Sequence, residues 1–435
     1  MNRPNIILIS CHDIGQHLGC YGIESINTPA LDKLAAEGVR FENSFCTAPQ
    51  CSPSRASIYT GRYPHSNGVM GLTHGNFAWD LNPGERHLTS FLHDAGYRTA
   101  LVGVQHETRH PEKLQFTDFK QLWGPCEPVA TEAEKYLNEI KGISQPFYLQ
   151  IGFIEPHRKF DFGDAKSDDS KGVTVPSYIL DESSAREEFA EFQGIIHKVD
   201  KSIGDVLKAI EDNGFKDNSI VIFTADHGIP FPRAKCTLYD PGLEVAFIMR
   251  WPKGGWEGNK TYSELVSNVD YLPTLLEVAG IEIPENVQGK SLLALLEGRN
   301  YQPRTEIFGE KTYHGWCDPC RCVRTSDYKL IANFTTAPFF EDPCQTYRPA
   351  TTTVVPEDPA YAYHPHIELY DLRNDPHEFD NLADNPEHEK QQQILTEKLY
   401  NWMVTTDDPL LTGIPMSPYH KKVIEILNST AENSI

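Results

Sequence analysis

Three short segments of the chain combine residue types that can do nucleophilic or metal chemistry. Residues 51–55 read Cys-Ser-Pro-Ser-Arg. Ser52 is a good N-cap and Pro53 suits a first helical turn, so Cys51 is expected at the N-terminus of a short helix running through Ser54–Thr60. Unpaired N–H groups and the helix dipole favour negative charge there. Arg55, four residues on, shares the face of Cys51, and an anion beside the thiol would meet both. A buried thiol near a helix cap is the plainer reading of the pentapeptide alone. Cys11-His12-Asp13 and Asp226-His227-Gly228 are acid–imidazole pairs. Each is commonplace alone; together they could hold a divalent cation.

The elements that must position these segments are apolar runs. Asn5–Ser10 is nearly continuous in apolar residues, the pattern of a strand buried on both faces of a parallel sheet. Similar runs recur at Thr99–Val102, Phe147–Phe153, Ser219–Thr224 and Val245–Arg250, and helical patterns lie between them at Ala30–Ala36, His87–Ala95, Glu132–Ile140, Arg186–Asn213 and Tyr271–Ala279. Strands alternating with helices predict a doubly wound α/β domain flanked by helices, whose ligands bind at the carboxyl ends of the strands. The chemistry-bearing segments follow such strands directly. The domain is expected to span residues 1–300. Residues 301–435 are expected to form a smaller α+β subdomain, an antiparallel sheet packed by a helix. Its pieces are Arg321–Arg324, Lys329–Asn333, Ile367–Leu372 and a helix near His388–Val404, with a Pro/Thr-rich stretch around Pro349–Pro359.

At 435 residues the chain can bury a large core. Its net charge of −22 argues against nucleic acid or an anionic membrane surface as partner, so an anionic substrate would need positive charge concentrated locally. No apolar run approaches the roughly 20 residues of a membrane span. MNRPNIILIS lacks the regions of a signal peptide, so the expected location is cytoplasmic if Met1 is the native start, and otherwise periplasmic or secreted with a signal removed. The ten cysteines are scattered rather than dense. Cys317, Cys320 and Cys322 form a C-x2-C-x-C cluster without a second paired cluster, which favours free thiols or a local disulfide over a metal.

The run CSPSRASIYTGRYPHSNGV resembles the signature of the sulfatase family, whose members belong to the alkaline-phosphatase superfamily. Within it, the resemblance is to the heparan N-sulfatase (sulfamidase) group. It is carried by the Cys51 motif through Gly71-Leu72, Pro156-His157-Arg158, IVIFTADHGIPFP at 220–232, Leu238-Tyr239 with Pro241-Gly242, and ELYDLRNDPHEFDNLADNP near the C-terminus. The resemblance implies an alkaline-phosphatase-like sheet and a sulfuric ester or sulfamate hydrolase acting on a sulfated sugar of glycosaminoglycan type. It implies that Cys51 is oxidised to formylglycine by a formylglycine-generating enzyme, and that the aldehyde hydrate attacks sulfur. Asp13, Asp226, His227 and the oxidised Cys51 are the implied ligands of one divalent cation, Ca²⁺ by family, with His12 a further candidate. Arg55 and Lys235 would stabilise sulfate charge, His157 would protonate the leaving atom, and His106 would take a proton from the formylglycine hydrate. Arg158 is expected to reach a carboxylate or sulfate of the substrate. A homodimer through the C-terminal subdomain is the oligomer the resemblance admits.

The sequence departs from the family at three places. His12-Asp13 stands where most sulfatases have two aspartates. Asp226-His227 stands where many have Asp-Asn; this pair also resembles choline sulfatases and phosphonate monoester hydrolases. Val104, two residues before His106, replaces a usual lysine. Extra imidazole shifts preference toward Mn²⁺ or Zn²⁺. The competing function is hydrolysis of phosphonates or phosphate mono- or diesters; a non-catalytic sugar-binding protein is a third, opposed by Asp13, Arg55, Asp226 and Lys235. Selectivity is expected in loops Gly71–Leu81, His106–Leu114 and Tyr313–Cys322, with His74, His110, His314 and Trp316 facing a sugar.

Overall fold

A computed structural model of the chain describes residues 3–336 and 363–432, without the side chains of 429–432. The Pro/Thr-rich stretch around Pro349–Pro359 lies outside the described residues. The first ten strands are β1 (Asn5–Cys11), β2 (Val39–Phe41), β3 (Ser44–Phe45), β4 (Arg98–Gly103), β5 (Asp118–Gln121), β6 (Phe147–Gly152), β7 (Ser219–Ala225), β8 (Phe247–Arg250), β9 (Lys260–Tyr262) and β10 (Val266–Ser267). Eight of them form one sheet in the order β5-β4-β6-β1-β7-β8-β2-β9, while β3 and β10 pair separately. The remaining strands, β11 (Ile307–Tyr313), β12 (Cys317–Arg324), β13 (Tyr328–Asn333) and β14 (Ile367–Asp371), make a four-stranded antiparallel sheet.

The five apolar runs all become strands, but the sheet is mixed rather than parallel. The run expected at Val245–Arg250 forms β8, which is antiparallel to both β7 and β2. The reason lies in the connection. Residues 226–246 hold only the four-residue helix Asp240–Leu243, too little to make the crossover a parallel neighbour requires. The short strands β2 and β9 leave no legible period in the sequence.

Side chains alternate across the central strand. Ile7, Ile9 and Cys11 pack on one face against helices Pro29–Glu37, Cys126–Glu139 and Ser183–Asp212. Ile6 and Leu8 pack on the other with helices Cys51–Thr60, Leu88–Asp94 and Tyr271–Val278. Each fully buried aliphatic side chain contributes about 1.5–3 kcal/mol, so both faces hold β1 and β7 firmly. A third cluster, Val323, Leu330, Leu369, Leu395, Leu399 and Trp402, joins the small sheet to helix Glu389–Thr405. No helix among the described residues is long and apolar enough to cross a membrane.

The loop after β4 depends on a close backbone approach. A Cβ at Gly103 (φ +92°) would lie 2.1 Å from the Gly152 carbonyl oxygen, and one at Gly152 would lie 2.0 Å from that of Val104. Only glycines allow β4 and β6 to end side by side in this way.

His17 is buried between Phe189 and Phe192, and burial pulls its pKa down to about 4. The unfolded chain therefore binds a proton between pH 6.5 and 4 that the folded chain rejects, and stability falls as pH falls through that window. His17→Leu should remove about 2–3 kcal/mol of the stability difference between pH 7 and 4.5, measured by urea unfolding at both values.

Candidate active site

Four adjacent strands deliver the functional segments to one edge. In the order β4-β6-β1-β7, their carboxyl ends run into His106, His157, His12-Asp13 and Asp226-His227. Cys51 arrives from the helix packed on the sheet. All residues of Cys51–Thr60 are buried, although five of them are Ser, Thr or Arg, and Gly61 ends the helix in the left-handed region (φ +65°). Buried polar side chains at this density must be satisfied by one another or by a ligand. The helix starts two residues earlier than expected: Gln50 is the cap and Cys51 the first helical residue. Ser52 is not the N-cap; its hydroxyl accepts from the Thr73 N–H at 3.2 Å.

The charges interlock around Asp226. Its Oδ1 accepts the N–H groups of Asp13 and His227, both at 2.9 Å, and Oδ2 accepts Arg55 Nε at 3.1 Å. His12 Nδ1 lies 3.0 Å from Oδ2 without the alignment of a hydrogen bond. Arg55 Nη1 donates to Ser10 Oγ at 3.0 Å, and its Nη2 is buried with no hydrogen-bond partner. Arg55 was expected simply to face an anion; most of its guanidinium instead neutralises Asp226. Lys235 Nζ donates to Asp13 Oδ2 at 2.8 Å. Asp13 itself sits in the left-handed region at φ +48°, which an aspartate tolerates.

His227 has a defined ring orientation. Its Nδ1–H donates to the Gly228 carbonyl at 2.9 Å, so Nε2 points at Asp13 Oδ1 (3.1 Å), Asp226 Oδ1 (3.6 Å) and Cys51 Sγ (3.4 Å). Burial disfavours its charge, yet the Asp226 and Asp13 carboxylates push its pKa up to about 10. Burial would raise the Asp13 carboxyl, but Lys235, then His157 and His227, hold it well below the usual range. Cys51 is likewise lowered: burial opposes ionisation, and Lys235 and His227 outweigh it.

These residues fit a divalent cation. The donor atoms of His12, Asp13, Cys51 and Asp226 all lie within 4.8 Å of one another, and Asp13 Oδ1 is buried without a hydrogen bond. His227 adds an imidazole nitrogen aimed at both carboxylates. The field that raises its pKa is the field that would favour a cation in the same place.

His106 lies beside the thiol, its donor atom within 4.8 Å of those of Cys51 and His12. Burial pulls its pKa down to about 4. Its Nε2 is in hydrogen-bond contact with His74 Nδ1, and the two rings stack at 4.3 Å. His157 Nδ1 donates to the Arg158 carbonyl at 2.7 Å. Gln105 turns inward to its own loop, with Nε2 on the Thr108 carbonyl at 3.0 Å, and supplies no cation where the usual lysine is missing. Arg158 is largely engaged within the protein. Its guanidinium donates to Glu188 Oε1 at 2.6 Å and to the Pro230 carbonyl at 3.0 Å, and lies over Phe160 and Phe231. Two of its nitrogens brace the loop, and the third, Nη2, is buried with no hydrogen-bond partner.

The expected loop Tyr313–Cys322 is mostly the β11–β12 hairpin, with only residues 314–316 turning. Cys317, Cys320 and Cys322 are free thiols, not a disulfide. His110 is exposed and pairs with Glu112 at 3.2 Å. Sequence reasoning missed Ser10, Ser54 and Asn268, which support Arg55 and the Cys51 helix: Ser54 Oγ donates to the Asp226 carbonyl, and Asn268 Nδ2 to Ser54 Oγ at 2.9 Å. It also missed Glu107, buried and accepting the His106 N–H at 2.6 Å, and Trp123, whose ring stands against His106. A charged residue directly after His106 was the available signal for Glu107; no local pattern marks the others.

The chain belongs to the sulfatase family: the family pattern described as Sulfatase matches residues 4–281, and that described as N-sulphoglucosamine sulphohydrolase, C-terminal, matches residues 231–350. Its members hydrolyse sulfate esters or sulfamates, and use a formylglycine and a divalent metal to do so. An ulvan-active sulfatase of Formosa agariphila is 32% identical over 95% of this chain and 83% of its own length. The N-sulphoglucosamine sulphohydrolase of Homo sapiens is 29% identical over 94% and 91%. Among solved structures, a protein in complex with its substrate D-glucosamine-2-N,6-O-disulfate shares the fold with a TM-score of 0.73, at 21% identity over 93% of this chain and 98% of that one.

Removing Arg55 would leave Asp226 buried with less compensation. Arg55→Ala should cost about 3–5 kcal/mol in urea unfolding measured in the presence of chelator, and Arg55→Lys clearly less.

Proposed function

We propose that this sulfatase desulfates an amino sugar of glycosaminoglycan type, with the sulfamate of N-sulfoglucosamine as leading substrate. The observation that carries the chemistry is the convergence of Cys51, at a helix N-terminus, with Asp13, Asp226, His227 and Lys235. The similarity to the human N-sulphoglucosamine sulphohydrolase across 94% of the chain supports the substrate. Cys51 is buried in the folded protein, so a formylglycine-generating enzyme would have to reach it before the helix packs.

As formylglycine hydrate, residue 51 would supply one hydroxyl to attack sulfur and a second whose deprotonation expels sulfate. A divalent cation on Asp13, Asp226, His227 and residue 51, with His12 adjacent, would supply Lewis acidity and stabilise the nucleophilic oxygen. The two imidazoles among these donors favour Mn²⁺ or Zn²⁺ over the Ca²⁺ usual in the family. Lys235, held on Asp13, neutralises charge on the transferred group, and Arg55 Nη2 is a further guanidinium donor it could meet. With Nδ1 tied to a carbonyl, His157 has Nε2 left to carry a proton to the leaving nitrogen or oxygen. His106, neutral at physiological pH, is placed to accept the proton of the second hydroxyl.

The test is sulfate release by protein co-produced with a formylglycine-generating enzyme. The panel is N-sulfoglucosamine, glucosamine 6-O-sulfate, an aryl sulfate and a phosphodiester. The sulfamate should give the highest kcat/KM. Lys235→Ala should lower kcat about 10²–10³-fold. Chelation should abolish turnover, with recovery on adding back Mn²⁺, Zn²⁺ or Ca²⁺. Turnover of the O-sulfate alone would overturn the sulfamate assignment. A dominant phosphodiesterase rate, which the Asp226-His227 pair would accommodate, would overturn the sulfate reading of the site.

A further inference from the structure

We propose that Trp123 is a stacking platform for a pyranose ring of the substrate at the mouth of the pocket; this rests on the sulfated-sugar reading above. Trp123 follows β5, the outermost strand on its side of the large sheet and parallel to β4. Gln121 is in register with Gly103, and the Leu122 N–H donates to the Gly103 carbonyl at 3.0 Å. Trp123 therefore emerges beside the loop that carries His106. Its ring centroid is 5.4 Å from that of His106, with the planes at 84°. His74 stacks on the same imidazole at 4.3 Å, so His106 is bracketed by a polar ring and an indole.

Trp123 is 53% exposed. An indole this open adds little to the core, yet it is held upright against a buried residue that lies beside the nucleophile. Binding pockets for small polar ligands use such aromatic walls to orient a few polar groups. A pyranose suits the wall well. One face of the ring presents axial C–H groups, whose weak positive polarisation complements the negative face of an indole. The hydroxyls remain at the edge, free for water or for His74. The other strongly exposed indole among the described residues, Trp316 at 49%, sits at the β11–β12 turn, and no ring contact ties it to the catalytic histidines.

The experiment compares wild type, Trp123→Ala and Trp123→Phe on a heparin-derived disaccharide ending in N-sulfoglucosamine. Calorimetric titration of the same disaccharide into each protein carrying Cys51→Ala reads binding without turnover. Trp123→Ala should raise KM and weaken binding about tenfold with kcat changed less than twofold, and Trp123→Phe should recover most of the loss. The urea midpoint of each variant reports whether the fold is intact. Unchanged KM and binding would overturn the platform, as would a fall in kcat alone, which would mean that Trp123 acts only through the position of His106. If wild type prefers another sulfated sugar, the sulfamate assignment fails while the platform is tested on that sugar. If it neither binds nor turns over any sulfated sugar, both fail.

Discussion

The carboxylate of Asp226 is the constraint on which the site depends. It is fully buried, and a buried charge without partners costs several kcal/mol. Its partners come from three elements: the N–H of Asp13 after β1, the N–H of His227 after β7, and Arg55 from the helix that begins at Cys51. None of these can shift without exposing the charge to a poorer environment. The same set of contacts therefore fixes Cys51, Asp13, Asp226 and His227 relative to one another. Ser54 and Asn268 secure the helix against the same carboxylate's backbone.

The small antiparallel sheet serves this arrangement from the other side. Residues 233–240 carry Lys235 between two left-handed residues, Arg233 and Cys236. The small sheet and the loop after it hold that segment. Arg233 donates to the carbonyls of His377 and Glu378, Lys311 to that of Cys236 at 3.0 Å, and Lys329 bridges Asp240 and Glu378. Backbone strain at a functional segment persists only where its surroundings over-determine it, and these contacts do so. The C-terminal part of the chain thus sets where Lys235 stands. A second buried cluster, His65, Glu310, Arg321 and Asp408, ties the segment after the Cys51 helix to the same sheet.

Much of the fold was legible in the sequence because the central strands are buried on both faces. Continuous apolar runs such as Ile6–Ile9 and Ile220–Phe223 leave little choice of secondary structure. The direction of β8 was not legible, since strand polarity depends on the length and content of a connection rather than on the strand's own residues. β2, β3, β5, β9, β10 and β11 were missed; all but β11 are two to four residues long, too short for a period to show. The helix cap fell on Gln50 and not Ser52, because tertiary packing, with the Ser52 hydroxyl accepting from Thr73, overrode local capping preference. Arg158 illustrates the general difficulty with a lone arginine. Its motif suggested a substrate contact, and the structure adds Glu188, thirty residues away on helix Ser183–Asp212, as a partner no local pattern shows.

By itself the sequence determined the class of chemistry, since the run around Cys51, with Asp13, Asp226 and Lys235, resembles the sulfatase signature and so implies a nucleophile, its counter-charges and cation ligands. It also determined that Asp13 and Asp226 lie at strand ends, because the apolar runs before them read as buried strands. Only the tertiary structure decided which strand ends are neighbours. That adjacency brings His227 Nε2 to Asp13, leaves Asp13 Oδ1 without a hydrogen bond, turns Arg55 toward Asp226 and stands Trp123 against His106. These are contacts between residues far apart in the chain, fixed by the balance of buried charge and packing, and no local pattern encodes them.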